Sequence, residues 1–245
     1  MDDGKPPILP PEPGVLDNIL SILFPIRCVH CGASGNWLCG GCAAALNPVG
    51  RHRCRRCGNP AAGDVPECRE CLGLPLKFDN AGAAFVYEGP ARSLVHRLKY
   101  SGQRRLAGTM ADLSCRHADL TGMGKEVTLT YVPQHKSKLL SRGYNQAGIY
   151  ARSLARRLDL PLSDLLCKQN PTLSQNRLNQ DERKVNLQGS IMLRKGARCK
   201  SSRVLLVDDV YTTGATASEC AGVLHDGLGV DVRVWTFART VRAGV

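Results

Sequence analysis

The chain has 245 residues and a formal net charge of +12, with a pI near 9.3, 22% charged residues and 43% hydrophobic ones. That length holds one full α/β domain and a smaller appendage, and the composition is that of a soluble globular protein, which excludes an integral membrane protein. The positive charge favours anionic partners, nucleic acid and phosphorylated small molecules alike, although the basic residues are mostly scattered, as on a solvated surface.

In chain order, residues 1–15 carry acids and prolines where a secretory signal needs a basic start and an apolar core, so a flexible tail and a cytoplasmic protein are expected. The apolar run VLDNILSILFPI at 15–26 is too short to span a bilayer and is expected to pack on its own domain.

Eight of the twelve cysteines then fall in four CxxC pairs: Cys28/Cys31, Cys39/Cys42, Cys54/Cys57 and Cys68/Cys71. Each pair is a tight knuckle that aims two thiolates at one metal, and two knuckles complete a tetrahedral four-thiolate zinc site. Disulfides are the rival, disfavoured in a cytoplasmic chain, and a redox pair would occur singly on a βαβ unit. Intervals of seven and ten residues between successive knuckles suit sequential pairing, while a cross-braced arrangement would swap the middle pairs. Residues 16–77 read as a module with too few apolar side chains for a core, one that zinc must stabilise. Cys115, Cys167, Cys199 and Cys220 stand alone.

From about Phe78 strands alternate with helices. AGAAFVY at 81–87 reads as a strand, EGPARSLVHRLKYSG as a helix with its stop, VTLTYVP at 127–133 as a second strand, and RGYNQAGIYARSLARRLDL as a helix. VLLVDD at 204–209 reads as a central strand, ATASECAGVLHDGL as a helix and VDVRVWTFA as the last strand. This alternation implies a parallel sheet flanked by helices over 78–245.

The most informative stretch is VLLVDDVYTTGAT at 204–216. An apolar run suited to a strand buried on both faces ends in Asp208 and Asp209, at the carboxyl end where open α/β sheets bind ligands. Thr212, Thr213, Gly214, Ala215 and Thr216 lead into a helix whose first N–H groups point at anions. Paired acids suit sugar hydroxyls or a magnesium-bound sugar, and the loop suits phosphate, so the composite is a site for a phosphorylated ribose.

This stretch resembles the phosphoribosyl-pyrophosphate (PRPP) motif of type I phosphoribosyltransferases. The resemblance assigns Asp208 and Asp209 to the ribose hydroxyls and the Thr212–Thr216 loop to the 5′-phosphate, with magnesium accompanying PRPP. The zinc knuckles, HRLKYSG, VPQHKSKLLSRGYNQ, SQNRLNQDERKVN and TFART occur in the order seen in ComF-type competence proteins, and the likeness covers about residues 16–240. It implies a double zinc ribbon holding two structural ions, joined to a type I phosphoribosyltransferase-like α/β domain. Lys136 and Lys138, with Arg142 just beyond, are then expected to line the pyrophosphate loop, and the polar stretch holding Gln175, Arg183 and Asn186 to close as a lid. Lys99 and Tyr100 resemble a further signature of unassigned role. Arg142, Gly143, Asn145 and Gln146 read either as pocket residues or as a helix cap.

Three functions follow from the resemblance: phosphoribosyl transfer to an unidentified nucleophile, PRPP or nucleotide sensing without turnover, and DNA handling in competence. For the last, single-stranded DNA, a competence helicase or other competence proteins are the expected partners. RHRCRR at 51–56 supplies arginines, but twelve aromatic residues make a poor stacking platform.

Overall fold

A computed structural model describes residues 26–117, 126–168 and 190–241. The expected tail, nearly all of the 15–26 run and the lid candidates Gln175, Arg183 and Asn186 lie outside the described residues. The elements are α1 (Gly40–Ala44), β1 (Asn80–Val86), α2 (Gly89–Tyr100), α3 (Leu106–His117), β2 (Val127–Tyr131), α4 (Lys136–Arg142), α5 (Gln146–Leu158), β3 (Leu166–Lys168), β4 (Ile191–Leu193), β5 (Arg203–Tyr211), α6 (Ala215–Leu228) and β6 (Asp231–Arg239).

Four strands form a parallel sheet in the order β1-β6-β5-β2, and β3 and β4 form a separate antiparallel pair. The near-continuous burial of β5 and β6 fits strands covered on both faces. Because side chains alternate along a strand, the two faces feed two cores. Leu205, Val207, Trp235 and Phe237 pack with α2, α3 and α5 on one face. Val204, Leu206, Val232 and Val234 pack with α6, with Leu166 and Ile191, and with Cys54, Cys57, Cys68 and Cys71 on the other. The second cysteine group is thus part of a protein core, although its own sequence supplies too few apolar side chains to make one.

The helices are punctuated as their sequences require. Pro90 opens α2, where its missing N–H costs nothing. Asn145 caps α5 by accepting from Gly148 N at 3.1 Å, while its Nδ2 donates to Val132 O at 2.9 Å. Gly143 ends α4 at φ 73°. Asn145 and Gly143 therefore act as caps, the structural one of the two readings open for that segment. One buried polar chain crosses the helical face: Trp235 Nε1 donates to Tyr150 Oη at 3.1 Å, and Tyr150 Oη lies 2.7 Å from Ser114 Oγ. Those bonds satisfy a tyrosine that is fully out of water.

Both sheet edges are covered by irregular chain. At β1, Val49 N donates to Ala84 O and Val86 N to Asn47 O. At β2, Leu129 N donates to Pro161 O and Ser163 N to Leu129 O. The cover on β1 comes from the cysteine-rich segment, which also receives Ala81 N on Arg56 O.

Candidate functional site

The pairing of β2 with β5 sets Tyr131 opposite Val207 and carries Val132 N onto Val207 O at 3.0 Å. The turn after β2 and the acids after Val207 therefore emerge side by side at the carboxyl end of the sheet, where a ligand crevice is expected. Asp209 is buried and Asp208 half-buried, and Asp208 Oδ1 accepts from Asp209 N at 2.8 Å. Burial and the neighbouring Asp209 charge push Asp208 up to about 8.

The partner of Asp209 is Lys99, at the end of α2, with Nζ 2.9 Å from Asp209 Oδ2. Burial works against the lysine charge, but Asp209, with Asp208 behind it, outweighs burial and raises its pKa. The adjacent Tyr100 stacks under Arg142, whose guanidinium carbon lies 5.1 Å from the ring centroid. Consecutive residues of α2 thus touch the acid pair and the last residue of α4. Sequence reasoning left Lys99 without a role. The only signal was its place in HRLKYSG, because its partner lies 110 residues further along the chain.

The segment expected to be a basic loop is in part helical. After Val132–His135 the chain turns into α4, capped by the His135 side chain, which accepts from Ser137 N. Lys136 and Lys138 are exposed on its first turn and Arg142 is half-buried on its last. In the orientation that satisfies its neighbours, the Gln146 amide oxygen accepts from Arg142 Nη1 at 2.7 Å, and its nitrogen donates to Gln134 Oε1 at 3.2 Å. Arg142 is thereby held in place by Gln146, whereas the two lysines stand exposed.

The loop after β5 keeps Thr212, Thr213, Ala215 and Thr216 exposed around a buried Gly214. Gly214 has φ 79°, and a Cβ there would lie 2.3 Å from Tyr211 Oη. Only glycine fits both the left-handed backbone and the tyrosine beneath it. The N-terminus of α6 follows at once, where Ala215 N donates to Thr213 Oγ1 at 3.4 Å and the next N–H groups make an anion-binding arrangement. Cys57, Cys71, Tyr211, Thr212, Thr213 and Arg239 are among the residues lining a cleft of about 750 Å³ beside this loop. Neither Asp208 nor Asp209 lines it.

The eight knuckle cysteines converge as two groups, Cys28/Cys31/Cys39/Cys42 and Cys54/Cys57/Cys68/Cys71, with the sulfurs of each group within 4.8 Å of one another. Pairing is sequential, not cross-braced. Separations of 3.6 Å (Cys31–Cys39), 3.9 Å (Cys54–Cys71), 3.6 Å (Cys57–Cys68) and 3.7 Å (Cys68–Cys71) are far from bonded, and all twelve cysteines are free. A tetrahedral zinc with bonds of about 2.3 Å needs sulfurs about 3.8 Å apart, so the donor sets fit that ion. Backbone donors favour the first thiolate of each group. Burial acts to raise Cys28, but N–H groups of Cys31, Cys39 and His30 lower it to about 6. Cys54 is likewise lowered to about 7 against its burial. Burial and neighbouring thiols push Cys42 and Cys71 up. Four thiolates can coexist there only around a cation.

A double zinc ribbon domain family matches residues 19–72. Competence protein F of Haemophilus influenzae is 32% identical over 230 residues, covering 88% of this chain and 98% of that protein. The chain belongs to the competence protein F family. Among its other ComF-family relatives, the DNA utilization protein YhgH of Escherichia coli is 29% identical over 85% of the chain and 93% of its own length. Competence protein ComFC of Bacillus subtilis is 26% identical over 83% and 84%. In this ComF-family chain the eight cysteines form two four-cysteine zinc-binding sites, and no helix among the described residues is long and apolar enough to cross a membrane.

Proposed function

We propose that the chain binds PRPP at the carboxyl end of β5 and acts as a phosphoribosyltransferase in the handling of external DNA. The observation that carries this reading is the composite at one sheet end: an acid pair held by Lys99, beside a hydroxyl-rimmed loop at the start of α6. The competence part draws on the names of the relatives alone.

On this reading the Asp208 and Asp209 carboxylates take the ribose hydroxyls, and the loop takes the 5′-phosphate on N–H and threonine donors. Magnesium bound with the pyrophosphate supplies charge to the leaving group. Lys136, Lys138 and Arg142 add cationic charge where pyrophosphate departs, which favours the transition state over the ground state. The anomeric C–O bond breaks through an oxocarbenium-like state, and the lone pair of a nitrogen nucleophile forms the new bond. The bond electrons leave with pyrophosphate.

Direct DNA binding by the arginine-rich knuckle draws less support. Arg55 lies 3.7 Å from Asp64 and Arg56 lies 3.8 Å from Glu67, so two of its four arginines face acids within the module. Single-stranded DNA and a competence helicase stay as partners to be tested by salt-dependent binding.

Calorimetric titration of zinc-loaded protein with PRPP and magnesium, beside a D208N/D209N double variant, tests the site. Binding that the variant loses supports it, and a flat wild-type titration removes it. Pyrophosphate release with amine or base acceptors then separates transfer from sensing, because a sensor binds without turnover.

A further inference from the structure

Arg239, the last residue of β6, is only 1% exposed. A guanidinium so placed is strongly disfavoured unless a negative charge faces it. No carboxylate among the described residues lies within ion-pair distance of it. Instead its Nη1 donates to the Cys57 carbonyl and lies 3.9 Å from Cys57 Sγ, while its Nε has no hydrogen-bond partner. Neutral thiols cannot balance this charge. Four thiolates around one zinc ion can, because that cluster carries a net charge of about −2.

The guanidinium also stacks on Tyr211, its central carbon 5.1 Å from the ring centroid. Phe78 meets the same ring edge-on at 6.4 Å. The Tyr211 hydroxyl in turn sits under Gly214, where it leaves no room for a Cβ. Cys57, Arg239, Tyr211 and Gly214 therefore form one run of contacts from the second ribbon to the loop, and the first three border the same cleft as Thr212 and Thr213.

We infer that Arg239 is the counter-cation of the second zinc–thiolate cluster and that, through Tyr211, it ties zinc occupancy there to the shape of the phosphate loop. The second half rests on the phosphate reading of that loop. Coupling of this kind is reciprocal: a ligand that favours the zinc-loaded arrangement of the loop also holds the zinc more tightly. Among the described residues the first cluster has no such cation. Cys31 is exposed, and the neighbouring Arg27 donates to Gly32 O at the surface.

The test is zinc release from the full-length, zinc-loaded protein to a zinc-selective pyridine chelator, with the remaining metal counted by atomic absorption. The wild type should lose one equivalent quickly, from the first cluster, and one slowly. Arg239→Met should speed the slow equivalent by about tenfold or more and leave the fast one alone, because it strands an anionic cluster without its cation. Arg239→Lys keeps the charge but loses the planar fork, so it should speed the slow phase by a smaller factor. If Arg239→Met fails to fold, Arg239→Lys decides. Wild-type slow-phase rates in the folded variants would overturn the charge pairing.

PRPP with magnesium should slow only the slow phase, and Tyr211→Ala should abolish that protection. If calorimetry shows PRPP binding but neither phase changes, the coupling is wrong and the site survives. If PRPP does not bind at all, the site reading fails, while the effect of Arg239 on zinc release is judged on its own.

Discussion

The two zinc ribbons share a local code and differ in their surroundings. Each has a CxxCG knuckle, Cys28–Gly32 and Cys54–Gly58, with its glycine at positive φ. In the first ribbon Cys28 and Cys42 are buried, but Cys31 is exposed and Cys39 half-buried, and Val29, Trp37 and Leu38 only flank the core; all four cysteines of the second are buried among strand and helix side chains. The same pairs of CxxC knuckles thus yield one site at the edge of a core and one inside it. The ion's coordination is set locally, but what its loss costs is set by the residues packed around it.

Ligand removal should show the difference most strongly. Cys57→Ser is expected to cost about 4 kcal/mol or more and to collapse the main thermal transition, since a buried cluster and its cation lose their partner together. Cys31→Ser should remove one zinc equivalent while shifting that transition by no more than about 1.5 kcal/mol. Equal shifts for the two variants, read by circular dichroism and zinc content, would break the contrast. The paired glycines sharpen it. Gly32 at φ 82° faces open space, so Gly32→Ala should cost about 1 kcal/mol in urea unfolding. Gly58 at φ 73° would bring its Cβ to 2.5 Å from Ala81 O, a backbone atom of β1, so Gly58→Ala should cost about 2 kcal/mol more.

Lys99→Met sets the acid pair against both ribbons. It leaves the buried Asp209 without its ion partner, for a loss of about 2 kcal/mol with both zinc ions retained. Zinc loss in that variant would mean that the acid pair and the ribbons do not respond separately.

A titration separates the acid pair from the ribbons, because zinc-loaded ribbons should be inert to it. Asp208, raised to about 8 by burial and Asp209, keeps in the folded chain a proton that the unfolded chain releases near pH 4. Stability therefore falls as pH climbs from about 4 to about 8, and Asp208→Asn should remove that slope. Magnesium–PRPP affinity should run the other way, rising by up to about tenfold per unit to pH 8 and then levelling, because binding to the carboxylate expels the proton. Proton release measured in buffers of different ionisation enthalpy checks the sign, and a flat affinity profile would detach Asp208 from the ligand.

How much of this was legible varied with how local the signal is. The expected helix ATASECAGVLHDGL matches α6 residue for residue, because glycines stand at both of its caps. The zinc pairing and the strand of acids were likewise written in short spacings. Helix α3 was missed although Leu106, Met110, Leu113 and Ser114 are buried at helical spacing, since Gly108 and Thr109 interrupt the apolar pattern. Helix α4 buries nothing and so leaves no periodicity to read. Lys99 on Asp209, Arg239 on Cys57 and the seating of the second ribbon are contacts between distant segments, which depend on strand order rather than on any local pattern.

The segment that pairs along β1 has a practical consequence. A cut near residue 77, where the composition changes, would strip Asn47 and Val49 from Val86 and Ala84 and leave a bare row of strand donors and acceptors. Such a fragment would recruit other chains to that row and assemble or precipitate. The cysteine-rich segment is therefore the stopper that keeps the sheet four strands wide, and the seam visible in the sequence is a poor place to cut the protein.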